Sequence, residues 1–135
     1  MVRILVVEND ADVRALVVRR LQQASHRVQG AAGATEALNL IDDKGAPDVV
    51  VLDVSMPEVD GLQLLGMIRE QVGRSDLPAV FLSGNMRPDD IAAGRALGAT
   101  YLTKPFVGNA LLGAIDTILH AEAEAHRQPN AAKEW

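Results

Sequence analysis

Short apolar runs and longer amphipathic stretches take turns along this chain. The first run, Val2-Arg3-Ile4-Leu5-Val6-Val7, ends in Glu8-Asn9-Asp10. Val13, Leu16, Val17, Leu21 and Ala24 then recur at helical spacing, and Asp10 is placed to cap that helix. A short, weakly patterned strand is expected over residues 27–31. Thr35 can cap a second helix that buries Leu38 and Ile41 and stops near Gly45-Ala46-Pro47. Val49-Val50-Val51-Leu52 follows, apolar throughout and closed by Asp53. A run so short, without polar alternation, reads as a strand buried on both faces, the kind found in parallel sheets. Met56-Pro57 and Asp60-Gly61 are turn signals after it. Leu62, Leu65, Ile68 and Val72 mark a third helix ending at Gly73, and residues 78–83 form a fourth strand stopped by Gly84-Asn85. Pro88-Asp89-Asp90 opens a fourth helix whose apolar face (Ile91, Ala92, Leu97) is thin, with Gly98 as its terminator. Residues 99–103 make a short fifth strand before Lys104-Pro105-Phe106, and the last helix carries Leu111, Ile115, Ile118 and Leu119 on one stripe. Beyond His120 the composition suggests a helix fraying into a tail.

Five strand–helix units in succession predict an α/β domain with a parallel sheet and helices on both faces. Right-handed crossovers leave few topologies, and five strands suit the flavodoxin-like, doubly wound order 2-1-3-4-5. The expected division is one domain over residues 1–120, with residues 121–135 as the end of the last helix and a tail. In that order strands one and three lie side by side, so Glu8-Asn9 and Asp53 converge at the carboxyl edge of the sheet. A fully buried strand leaves Asp53 no wet face, and the crevice at that edge is where it is comfortable.

Length and composition narrow the function. A chain of 135 residues, 48% hydrophobic and 23% charged, is an ordinary globular composition. Cysteine is absent, which excludes disulfides and thiolate metal sites. No signal-peptide pattern and no apolar run of the ~20 residues needed to cross a bilayer is present, so a cytoplasmic protein without a membrane partner is expected. A net charge of −5 with scattered Lys and Arg argues against direct nucleic-acid binding, and two Phe, one Tyr and one Trp offer no base-stacking platform. His26, His120 and His126 have no ligand spacing and read as surface residues.

The strand ends carry the chemistry. Glu8, Asn9 and Asp10 follow strand one, Asp53 strand three, Ser83 strand four and Lys104 strand five. Carboxylates, a hydroxyl and a lysine at one edge suit an oxygen-liganded magnesium ion and a phosphoryl group. Phosphoryl transfer asks little of a protein beyond a nucleophile held in line and cations on the equatorial oxygens. Asp53 can be that nucleophile, Lys104 and the metal can neutralise charge, and Ser83 can donate to a phosphoryl oxygen. Asp10 and Asp60-Gly61 read as a helix cap and turn chemistry.

These residues, with Met56-Pro57-Glu58-Val59-Asp60-Gly61, Ser83-Gly84 and Tyr101-Leu102-Thr103-Lys104-Pro105-Phe106, resemble the receiver domain of bacterial two-component response regulators over residues 2 to 120. Each piece alone is weak; four in order, each at a strand end, are specific. The resemblance implies that Asp53 accepts a phosphoryl group from a sensor histidine kinase or histidine phosphotransfer protein. It implies magnesium held by Glu8, Asn9, Asp53 and the backbone carbonyl of Ser55, and a cis bond between Lys104 and Pro105. Ser83 and Tyr101 would be a switch pair that reshapes the face of helix four, strand five and helix five for a downstream protein. Ser55 and Asn85 lie where the family tunes autodephosphorylation. Such a protein is a switch and not a turnover enzyme.

One position departs from the pattern. The family usually has two adjacent acids after strand one, and Asn9 stands at the second, so weaker metal binding is expected. That departure is the only support for an alternative, a pseudo-receiver acting as a phosphorylation-independent interaction module. A haloacid-dehalogenase-type phosphatase would need a second acid where Ser55 stands, and a flavodoxin would need a phosphate-cradling loop where the acidic Glu8-Asn9-Asp10 lies. The residues leave open a weak homodimer on phosphorylation, and do not choose between a stand-alone receiver and part of a longer regulator or hybrid kinase.

Overall fold

The computed structural model describes residues 2–57, 59–84, 88–103 and 108–125. The apolar runs form β1 (Arg3–Val7), β2 (Arg27–Ala31), β3 (Val49–Asp53), β4 (Ala79–Ser83) and β5 (Thr100–Thr103). Between and after them lie α1 (Ala11–Gln23), α2 (Ala34–Lys44), α3 (Gly61–Val72), α4 (Pro88–Ala96) and α5 (Gly108–Ala125). All strand pairs are parallel, in the order β2-β1-β3-β4-β5. This is the expected doubly wound fold.

Strand periodicity divides the core into two layers. Ile4, Val6, Val49, Val51, Val80 and Leu82 pack with Val17 and Leu21 of α1 and Leu111 and Ile115 of α5. Leu5, Val7, Val50, Leu52 and Phe81 face the other way, onto Ile41 of α2 and Leu64, Leu65 and Ile68 of α3. Each fully buried side chain of this size contributes roughly 1.5–3 kcal/mol, so both helical layers are held by the sheet. Asp48 fixes the entry to β3: it accepts from the Arg3 backbone N–H at 2.9 Å and pairs with the Arg3 guanidinium at 3.5 Å. No helix among the described residues is long and apolar enough to cross a membrane.

Several local expectations give way to the structure. Leu16 is not in the core but 55% exposed. Val17 and Leu21 centre the face that α1 turns to the sheet, and Leu16 lies a quarter-turn off it. Ala24 caps the C-terminus of α1 and is exposed. Thr35 does not cap α2: Gly33 is the N-cap, without a side-chain bond, and Thr35 lies inside the helix. Ala92 is exposed, which thins the apolar face of α4 further. His26 is half-buried, accepts from the Val2 N–H at 3.4 Å, and has its pKa pushed below the usual imidazole value mainly by burial. His120 is exposed, and His126 lies outside the described residues.

Arg69 of α3 is the buried charge that the apolar spacing concealed. Its guanidinium donates to the Leu77 carbonyl at 2.7 and 3.1 Å, and to the Leu97 carbonyl at 2.6 Å. It thereby ties α3 to the approach to β4 and to the C-terminal end of α4, where a cation is favoured by the helix dipole. Arg69→Met keeps the stem and removes the donors. It is expected to destabilise the domain by about 2 kcal/mol or more, read as a lower urea midpoint at unchanged slope, because buried carbonyls lose their partners.

Candidate functional site

The carboxyl ends of β1 and β3 are neighbours, and each delivers a buried carboxylate. Glu8 follows β1 directly; its N–H donates to the Ala31 carbonyl at 3.0 Å and extends the β1–β2 ladder by one residue. The Glu8 side chain is fully buried, and a buried carboxylate is costly without donors. One comes from the Asp10 N–H, 3.1 Å from Oε2. Arg14, one turn into α1, donates to the Glu8 carbonyl at 2.8 Å and so binds the strand end to the helix. Asp10 is the N-cap of α1, its Oδ1 accepting from the N–H groups of Asp12 at 2.9 Å and Val13 at 3.1 Å.

Asp53 ends β3 with only 5% of its surface exposed. Its Oδ1 accepts from the Ser55 N–H at 3.1 Å. The backbone then passes Val54, which donates to the Leu82 carbonyl at 3.0 Å and accepts from the Gly61 N–H at 2.9 Å. The loop therefore doubles back on the strand it leaves. Asp60 caps α3 in a capping box with Gln63, and Gly61 sits against the Asp53 backbone. A Cβ on Gly61 would overlap the Asp53 carbonyl oxygen and stand 3.0 Å from Val54 Cα.

Asn9 lies between the two acids. Its amide orientation follows from its neighbours: with nitrogen inward it donates to Asp53 Oδ2 at 3.1 Å and to Glu8 Oε2 at 3.0 Å. With oxygen inward it would face acceptors only.

The structure thus brings Glu8, Asn9 and Asp53 together, with Ser55 on the rim. Ser83 is buried at the end of β4, one residue beyond Leu82, the register partner of Asp53. Tyr101 is half-buried two residues deeper on β5, opposite Phe81, with ring centroids 5.2 Å apart and planes tilted by 34°. Lys104, the Lys104–Pro105 bond and Asn85 lie outside the described residues. Two contributors escaped the sequence reading. Asp60-Gly61 announces a turn, but not that Gly61 abuts Asp53; nothing in the sequence signals that Arg14 reaches Glu8.

Among the described residues no three His, Cys, Asp or Glu side chains gather as a metal-binding group. The donor set at the sheet edge nevertheless fits a hard divalent cation. Glu8 and Asp53 each bring a carboxylate oxygen within reach of one atom, the Asn9 amide nitrogen, and carboxylate oxygens are ligands that magnesium accepts alongside water. The set carries one charge fewer than three acids would.

Fold and site together define a doubly wound α/β domain with an acidic pocket at its switch point. The chain belongs to the response regulator receiver domain family of two-component systems, which it matches over residues 4–116. It is 36% identical over 118 residues to the transcriptional regulatory protein PrrA of Mycobacterium tuberculosis, a match that covers 87% of this chain and 49% of PrrA. An uncharacterized 14.6 kDa protein of Leptolyngbya boryana is 41% identical over 103 residues, covering 76% of this chain and 78% of that protein. Among solved structures, chemotaxis protein CheY4 of Vibrio cholerae superposes with a TM-score of 0.80 at 31% identity, covering 87% of this chain and 98% of CheY4. The chain spans about half the length of PrrA and of the MprA response regulators it also matches.

Proposed function

We propose that this domain is a phosphorylation-operated signalling switch in which Asp53 is the phosphoacceptor. The observation that carries the reading is the pairing of two buried carboxylates, Asp53 and Glu8, within reach of one amide nitrogen at the β1–β3 edge. A carboxylate at the carboxyl end of a buried strand suits a nucleophile approached in line. The phosphoryl group passes from an imidazole nitrogen of a sensor histidine kinase or histidine phosphotransfer protein to an Asp53 oxygen. The N–P bond breaks, an O–P bond forms, and the freed imidazole takes up a proton from solvent. Water later hydrolyses the acyl phosphate and returns the carboxylate, so the protein catalyses its own modification and turns over no external substrate.

Glu8, Asn9, Asp53 and the Ser55 carbonyl would hold magnesium, which supplies charge neutralisation for the incoming phosphoryl oxygens. Lys104 is assigned the second cationic role on the strength of its place after β5. Ser83, buried beside the acceptor strand, donates to the phosphoryl group, and Tyr101 follows it inward along Phe81. The response reaches the α4–β5–α5 face, where a downstream protein binds. The thin apolar face of α4 suits an element that moves at low cost. The relatives named as transcriptional regulators are about twice as long as the part of them matched here. A cytoplasmic location fits a kinase-fed switch.

Intact mass after incubation with magnesium and a small phosphodonor tests the proposal. The metal site has its own test. Asn9→Asp restores the missing charge and is expected to tighten magnesium binding about tenfold, or ~1.4 kcal/mol, by calorimetric titration. Equal affinity in both proteins would remove Asn9 from the list of residues that set metal affinity.

A further inference from the structure

Asn9 does more in this geometry than replace a ligand with a poorer one. An amide has two faces: its nitrogen carries two N–H donors and its oxygen only accepts. Assigned nitrogen-inward, as its acceptor neighbours require when no cation is present, the amide donates to Asp53 Oδ2 at 3.1 Å and to Glu8 Oε2 at 3.0 Å. Both acceptors belong to buried side chains, where two like charges repel strongly and a shared donor counts for most. The partial positive charge of the NH2 group therefore stands where a cation would neutralise the pair. Aspartate could not do this, since it has no donor and would add a third negative charge.

The same arrangement sets a condition on metal entry. A cation bound between Glu8 and Asp53 is repelled by an inward amide nitrogen, and an inward amide oxygen without a cation would face two carboxylates. The two orientations are exclusive, one for each state of the site. Asn9 is an exposed residue, and a half-turn of its amide about Cβ–Cγ exchanges the two orientations.

We propose that Asn9 is a resident substitute for the cation: its amide bridges Glu8 and Asp53 in the metal-free protein, keeps the pocket ordered without metal, and must turn over or be displaced when a divalent cation binds. The inference rests on the reading of this pocket as a magnesium site, but its first half concerns the metal-free protein alone.

The test uses the whole chain, stripped with chelator, in thermal unfolding without and with magnesium, for the parent and Asn9→Ala. Alanine removes the bridge and adds no charge. The metal-free melting temperature of Asn9→Ala is expected to fall by roughly 4 °C or more, through the loss of two charge-assisted hydrogen bonds. Its magnesium affinity is expected to fall by clearly less than tenfold, since water replaces the amide oxygen and no bridge has to break. In the parent, the two side-chain N–H resonances of Asn9 should lie apart from those of free amides and shift together on magnesium titration. Unchanged metal-free melting in Asn9→Ala overturns the bridge. A tenfold loss of magnesium affinity in that variant overturns the displacement and leaves Asn9 a simple ligand. Should the variant not fold, parent Asn9 resonances at free-amide positions in chelator would overturn the bridge by themselves. If neither protein binds magnesium, the metal reading fails, while the metal-free comparison still decides whether the amide holds the pocket together.

Discussion

Asp53→Asn is expected to abolish the phosphoryl adduct that the parent forms with magnesium and a small phosphodonor. The parent should gain a single phosphoryl group, only with both metal and donor present, and the variant none under any condition. The loss is complete because an amide oxygen is no nucleophile at neutral pH, whereas a carboxylate is one already. It is also specific. The substitution is nearly isosteric, Oδ1 still accepts from the Ser55 N–H, and one of two neighbouring buried charges disappears. A variant that still unfolds cooperatively, whatever its midpoint, separates chemistry from folding. An adduct that survives in Asp53→Asn would place the acceptor elsewhere. A folded parent that takes up no phosphoryl group at any magnesium concentration would instead leave the domain as a phosphorylation-independent interaction module.

Gly61→Ala should do the largest structural damage of any single methyl group near the site. The added carbon overlaps the Asp53 carbonyl oxygen and crowds Val54 Cα, backbone atoms at the exit of β3, where the Val54 N–H is tied to the Leu82 carbonyl. Backbone of this kind cannot swing aside as a side-chain tip does, so a cost of roughly 2–3 kcal/mol is expected, read from the urea midpoint. Whatever relief occurs must move Asp53, and a displaced nucleophile should slow phosphoryl acceptance by about tenfold or more. Gly66, on the same helix with nothing within 4 Å of its missing Cβ, is the control. There alanine should stabilise by roughly 0.5–1 kcal/mol, as in any exposed helix interior. If both variants melt together, the close approach at Gly61 has no energetic weight.

Much of this was legible in the residues because the dominant signal is one of burial. Val49-Val50-Val51-Leu52 has no polar position, and β3 spans the residues expected of it; Gly73 ends α3 in the left-handed conformation that its place after Val72 suggests. Asp10 and Asp60 act as caps, as their positions imply. What periodicity cannot say is how wide a face the neighbours cover. Leu16 shares the α1 stripe yet lies beyond the sheet, while Arg69 disrupts the α3 stripe yet is 9% exposed because two carbonyls receive it. The site divides in the same way. Glu8, Asn9 and Asp53 could be brought to one edge from strand order alone, since register follows from topology. The sense of the Asn9 amide and the contact of Gly61 with Asp53 depend on angles and on a loop that folds back over its own strand, and neither leaves a trace in spacing.

The pairing of Tyr101 with Phe81 has a practical side. The chain contains a single tyrosine, and it stands on β5 with the Phe81 ring 5.2 Å away. Selective isotopic labelling of tyrosine would therefore yield one ring spin system, displaced by the aromatic field of its neighbour. Any rearrangement of that edge of the sheet alters the displacement directly. The domain carries its own spectroscopic reporter on β5, and no foreign dye or engineered residue is needed to follow it.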